Sequence, residues 1–141
     1  MKTRSLPLAL VFLIITISLS AHSLQAQSSV SASASPSVIT NEGEDSTITL
    51  TISPPSSRQL AVNVVLTGTA ANGTDFIVQG SFNRQNQVIV PARQSSVTMN
   101  LHSLKDDDGR FSEFVVFNVI GGKKYRIGSP SHARVTIENV P

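Results

Sequence analysis

The 141-residue sequence predicts an all-β fold: an antiparallel two-sheet sandwich of immunoglobulin-like type with about seven strands. Three observations lead there. Apolar residues alternate with polar ones along several short segments rich in Val, Ile and Thr, the period-two signature of half-buried strands. Turn residues separate these segments, among them Pro54-Pro55, Asn72-Gly73, Pro91 and Gly121-Gly122. No helical period follows the N-terminal segment. Pattern alone leaves jelly-roll and other sandwiches open. The absence of Cys and Trp argues against an antibody-type domain, whose disulfide packs on a buried Trp.

In chain order, residues 1–26 have the layout of a secretory signal. Lys2 and Arg4 make a basic start, Leu8 to Leu19 is almost wholly apolar, and small residues follow at Ala21, Ser23 and Ala26. The apolar run falls short of the roughly 20 residues a membrane span needs, which sets cleavage after Ala26 or Ser23 above an uncleaved anchor. Residues 27–36 are rich in Ser and Ala and read as a flexible exit feeding a first edge strand. Residues 37–141 form the sandwich. In "STITLTIS", Ile48, Leu50 and Ile52 share one face, and in "LAVNVVLTG" the apolar set is Leu60, Val62, Val64 and Leu66. Val88 with Val90, then Val97, Met99 and Leu101, then Val115, Phe117 and Val119, and finally Val135 with Ile137 continue the series.

The full chain holds 11 Lys and Arg against 9 Asp and Glu, but Lys2 and Arg4 leave with the signal, so the mature chain holds nine of each. No net field then favours nucleic acid or an anionic membrane. Without Cys there is no disulfide, thiolate nucleophile or zinc–sulfur site. About 115 residues suit one domain with one core.

The scarce acids fall where strands should end. Glu42 lies in "NEGED", Asp75 closes "GTAANGTDF", Asp106, Asp107, Asp108 and Glu113 sit in "LKDDDGRFSEF", and Glu138 ends the last strand. Loops joining alternate strand ends collect at one pole of a sandwich, where carboxylates can converge. Calcium takes 6–8 oxygens, several of them carboxylate. The alternative is that Asp and Glu sit in turns because turns are wet and Asp suits their geometry.

These motifs resemble, in order, those of the Calx-beta domains found in sodium–calcium exchangers, in one integrin subunit and in many bacterial surface proteins. "NEGED" resembles an acidic "sEGdg" turn, "GTAANGTDF" a "GTAtaGsDY" loop, "VIVPARQSSVTMNL" a "vtIPAGqts.tItV" segment, and "IGSPSHARVTIEN" the closing "IGspssAtVtI.D". The resemblance spans about Val38 to Asn139 and implies a Greek-key sandwich with calcium held at one end. Carried over by position, it implies metal ligands at Glu42, Asp75, Asp106 and Glu113, with Asp107, Asp108 and Asn139 as further candidates. The same alignment puts Lys105 and Arg110 on two acidic positions, and the terminal acidic cluster is replaced by Asn139, Val140 and Pro141. An ammonium about 5 Å from a divalent ion repels it by roughly 5–7 kcal/mol at an effective dielectric near 20. The resemblance therefore implies a degenerate site in which Lys105 and Arg110 neutralise the acids, with weak or absent calcium. A loose single-ion site is the close alternative.

Other motifs carry less. "DDDGRFSE" fails as an EF-hand, since with Gly109 at the glycine position Leu104 and Val115 fall on ligand positions 1 and 12. His102 and His132 read as exposed strand histidines, and no G-x-S-x-G elbow or phosphate-binding glycine loop occurs. Lys123-Lys124-Tyr125-Arg126 reads as a solvated hairpin tip, and Asn72-Gly73-Thr74 is a formal glycosylation sequon. The expectation is an exported, non-enzymatic protein, secreted, periplasmic or on the cell surface. It would be an interaction or adhesion module meeting a protein or surface polymer, without nucleic acid and without stable membrane insertion once the signal is cleaved. The alternatives are a calcium-regulated binding domain and, further off, a secreted hydrolase.

Overall fold

The computed structural model describes residues 26–83, 85–105 and 112–138. Ten strands form two five-stranded sheets: β1 (Ser29–Ser35), β2 (Val38–Ile39), β3 (Asp45–Ser53), β4 (Leu60–Gly68), β5 (Phe76–Gly80), β6 (Gln87–Val90), β7 (Ser96–Ser103), β8 (Glu113–Val119), β9 (Arg126–Ile127) and β10 (His132–Ile137). One sheet has the order β5-β7-β3-β1-β9 and the other β2-β10-β8-β4-β6. Pairing is antiparallel except where the two-residue strands β9 and β2 join β1 and β10 in parallel. No helix occurs among the described residues.

The alternation seen in the sequence becomes the core. Ile48, Leu50 and Ile52 on β3 face Leu60, Val62 and Val64 on β4 across the sandwich, and Met99, Leu101, Val115, Phe117, Val135 and Ile137 complete the interior. Each is at most 2% exposed, so both sheets turn one dry face inward and one polar face outward. Every buried hydrophobic among the described residues lies between Val30 and Ile137.

Ten strands rather than seven follow from three elements without a readable period. β2 and β9 have two residues each, and β5 is the contiguous apolar run Phe-Ile-Val followed by Gln-Gly. The predicted flexible segment is also different. Ser29–Ser35 is strand β1, paired to β3 over seven positions and to β9 on its other side, with Val30 and Ala32 in the core. Serine and alanine lower the hydrophobic signal, but the small side chains still alternate in and out. Pro36 then ends this strand, because it has no N–H to continue the ladder, and the chain crosses to the second sheet as β2. The Ser46 hydroxyl donates to the Pro36 carbonyl at 2.6 Å and pins the crossing.

Strand direction defines two poles. At one, β3 gives way to β4, β6 to β7 and β8 to β9. At the other lie the turn before β3, the β4–β5 loop and the connection from β7 to β8.

Candidate functional site

The second pole carries the predicted acids, and residues 103–104 at the end of β7 stitch its loops together. Ser103 is fully buried; its hydroxyl accepts from the Gly43 amide and donates to the Glu44 carbonyl, both at 3.0 Å. The Ser103 amide also donates to Glu44, and the Leu104 amide donates to the Asp75 carbonyl at 2.8 Å. The turn at Asn41–Glu44 and the β4–β5 loop are thus held against one strand end. Gly43 has φ +89°, a backbone state that a side chain would strain.

Asp75 is 9% exposed, and its carboxylate oxygen Oδ2 accepts from the Ala71 amide at 2.5 Å. The amides of Thr74 and Asp75 both return to the Ala71 carbonyl. The carboxylate therefore closes its own loop, an Asp acting as a turn former. Lys105 leaves the end of β7 with its Cε 3.5 Å from the point where a side chain on Gly43 would begin, so its side chain passes close to the Gly43 turn. Glu42 is half-buried, and so is Glu113, which stands opposite Ile137 at the start of β8. Next to Glu113, the Phe114 carbonyl accepts from Thr69 and Ala70 at 3.0 Å, which brings β8 against the β4–β5 loop. Gly68 allows this approach: a Cβ there would run into the Phe114 carbonyl oxygen.

Of the predicted ligand positions, Glu42, Asp75 and Glu113 thus share one pole with Lys105. Asp106, Asp107, Asp108, Arg110 and Asn139 lie outside the described residues. Among the described residues, no three His, Asp or Glu side chains gather closely enough to hold a metal ion. Glu42, Asp75 and Glu113 by themselves therefore do not fit calcium, and Asp75 already gives one oxygen to the Ala71 amide.

Two pairings escaped the sequence reading. Asp45 stands directly opposite His102 in the β3–β7 ladder, and His102 Nδ1 lies 2.7 Å from Asp45 Oδ1. That hydrogen bond holds the Asp45 carboxyl below its ordinary value, against an opposing desolvation and with help from Asn100. The "NEGED" motif drew attention to Glu42; the register that pairs its last residue with His102 has no local signal. The second is Tyr125, predicted to sit in a solvated tip but only 3% exposed. Its hydroxyl donates to the Ile120 carbonyl at 2.6 Å and accepts from the Asn63 amide at 2.9 Å. The hydroxyl thus ties the β8–β9 loop to its own start and to β4. Burial pushes its pKa up, opposed by the bonds from Asn63. A lone Tyr between a glycine pair and the last strands was the signal available. Lys123, Lys124 and Arg126 around it are exposed, as predicted.

Clefts are open and of mixed polarity. A groove of about 490 Å³ runs over the outer face of β3, β5 and β7 between Thr47, Gln79, Thr98 and Asn100. No serine stands opposite His102 on either neighbouring strand, where Asp45 and Ile77 take those positions.

No family model matches the chain, and no curated protein matches it in sequence. Solved structures do. The apo form of the Calx CBD1 domain superposes with a TM-score of 0.58 at 17% identity, over 79% of this chain and 98% of that one. The calcium binding domain CBD12 of CALX1.1 gives 0.56 at 18% identity, and CBD12 from CALX1.2 gives 0.55 at 18%. This chain spans 43% of each of those two longer chains.

Proposed function

We propose that the protein is a non-enzymatic, exported interaction module of the Calx-beta type, whose fold the sandwich shares, acting outside the cell or at its surface, with a degenerate calcium pole. The observation that carries this reading is Lys105 Cε, 3.5 Å from the point where a side chain on Gly43 would begin, which sets a cation beside the acidic turn. A cation at this pole offsets neighbouring carboxylates as a bound ion would. Asp75, engaged with Ala71, supports the same view. The signal-like N-terminus supports export, and the missing serine beside the Asp45–His102 pair weighs against a hydrolase.

A second reading, calcium binding that regulates or stiffens a partner surface, draws on one observation. β7 ends and β8 begins at this pole, and the segment between them carries Asp106, Asp107 and Asp108. The thermal midpoint in chelator and across calcium from micromolar to millimolar separates the two. Binding to the native state adds RT ln(1 + [L]/Kd), about 2.7 kcal/mol at a hundredfold excess over Kd. A flat response is expected; a rise with calcium and not with magnesium replaces the degenerate reading by the second one.

A further inference from the structure

The charge balance of the mature chain conceals a segregation. All six described acids, Glu42, Glu44, Asp45, Asp75, Glu113 and Glu138, lie in or beside the turns of one pole. The opposite pole gathers Arg58, Arg93, Lys123, Lys124 and Arg126 from three separate loops, all exposed. The Arg93 amide donates to the Ser56 carbonyl at 2.7 Å and joins two of these loops, while the Arg58 amide donates to the Ser56 hydroxyl at 3.2 Å within its own loop and the Arg126 amide to the Ser28 carbonyl at 2.8 Å. A cleft of about 340 Å³ opens between Arg58, Lys123 and Lys124. Among the described residues the one ion pair is His102–Asp45, so none of these five cations has an acidic partner there.

The loop that carries Lys123, Lys124 and Arg126 is flanked by Ile120 and Ile127, which are 42% and 49% exposed. They are two of only four large hydrophobics so exposed among the described residues. Tyr125, the loop's aromatic residue, is buried and engaged at its hydroxyl, so the loop presents no ring on which a nucleic-acid base could stack. Several spread cations with no buried polar side chain aimed at them suit an extended array of negative charge better than one small anion.

We propose that this pole docks on a bilayer surface bearing anionic headgroups. Arg58, Arg93, Lys123, Lys124 and Arg126 meet the headgroups, and Ile120 and Ile127 reach the boundary of the acyl region. Among the described residues no helix is long and apolar enough to cross a membrane. An anionic surface repels the acidic pole, which orients the sandwich with the Glu42–Lys105 end pointing away from it. The proposal concerns the pole opposite the calcium question and holds whichever way that is answered.

The test is co-sedimentation of the chain from residue 27 onward with vesicles of phosphatidylcholine alone or mixed with phosphatidylglycerol, in low and in high salt. Binding to the mixed vesicles alone, released by salt, is expected. Each basic residue near such a surface is worth about fivefold in partition, so the double variant Lys123→Gln/Lys124→Gln should bind about 25-fold more weakly. Ile127→Ser should also weaken binding, and Arg134→Gln, on the outer face of the second sheet, should not. All variants are checked for an unchanged thermal midpoint. Equal binding to neutral vesicles overturns the proposal. So does tight binding to soluble dextran sulfate that Ile127→Ser leaves intact, which identifies a polyanion partner. Self-association without vesicles, abolished by the same lysine changes, overturns it in favour of one copy's basic pole meeting another's acidic pole.

Discussion

The Asp75 carboxylate and the Ala71 amide meet at 2.5 Å inside the β4–β5 loop, so the residue best matched to a calcium ligand also holds its own turn. Asp75→Ala leaves that amide without its partner and should destabilise the domain by about 1–3 kcal/mol. The loss should be the same in chelator and in calcium. Urea unfolding under both conditions measures it, and a loss confined to calcium would show a metal ligand instead.

Lys105 and Arg110 stand where the resemblance calls for acids. Replacing them together, Lys105→Asp with Arg110→Glu, removes two cations and adds two carboxylates. The double variant should lose stability in chelator through acid–acid repulsion and regain it with calcium. A melting curve indifferent to calcium would refute the filled-site account of this pole.

Tyr125→Phe keeps the ring and removes one hydroxyl that serves two backbone groups, the Asn63 amide and the Ile120 carbonyl. A cost of about 1–3 kcal/mol is expected for leaving such groups unpaired. The slope of the urea transition should be unchanged, since the surface exposed on unfolding is the same. A neutral result would mean that water replaces the hydroxyl without loss.

The Asp45–His102 pair makes a prediction about acid. The Asp45 carboxyl has its pKa lowered from 3.8 in the folded protein, chiefly by the His102 hydrogen bond. The unfolded chain therefore takes up this proton first as the pH falls, and the pair's contribution to stability is complete above that value. It is lost as the pH falls through the lower folded value. Wild type should lose more stability than Asp45→Asn on acidification below pH 3.8, with the two converging at the acid end. Denaturant midpoints for both proteins across that range test the sign.

Much of the sandwich was legible residue by residue. Ile48, Leu50, Ile52, Val115, Phe117 and Val119 were assigned to the core from alternation alone, and all are buried. Alternation can be read locally because successive side chains on a strand point to opposite faces, whatever the strand pairs with. β1 was half seen because Ser and Ala carry a weak hydrophobic signal, and β2 and β9 were not seen because two residues have no period. The acidic pole was foreseen as a meeting of loops, but the commitment of Asp75 to Ala71 and the path of Lys105 over Gly43 depend on how those loops close.

The sequence by itself determined which residues face inward, where the chain turns, and the Greek-key order that the motifs imply. Only the tertiary structure decided that Asp45 meets His102 across 57 residues and that Tyr125 plugs Asn63 across 62. It also decided that a chain with nine charges of each sign from residue 27 onward separates its described acids from five of its cations at opposite ends. The physical reason is range. Strand periodicity comes from bonds between neighbours, whereas cross-strand partners and charge placement depend on sheet order and register, which exist only once distant segments have packed.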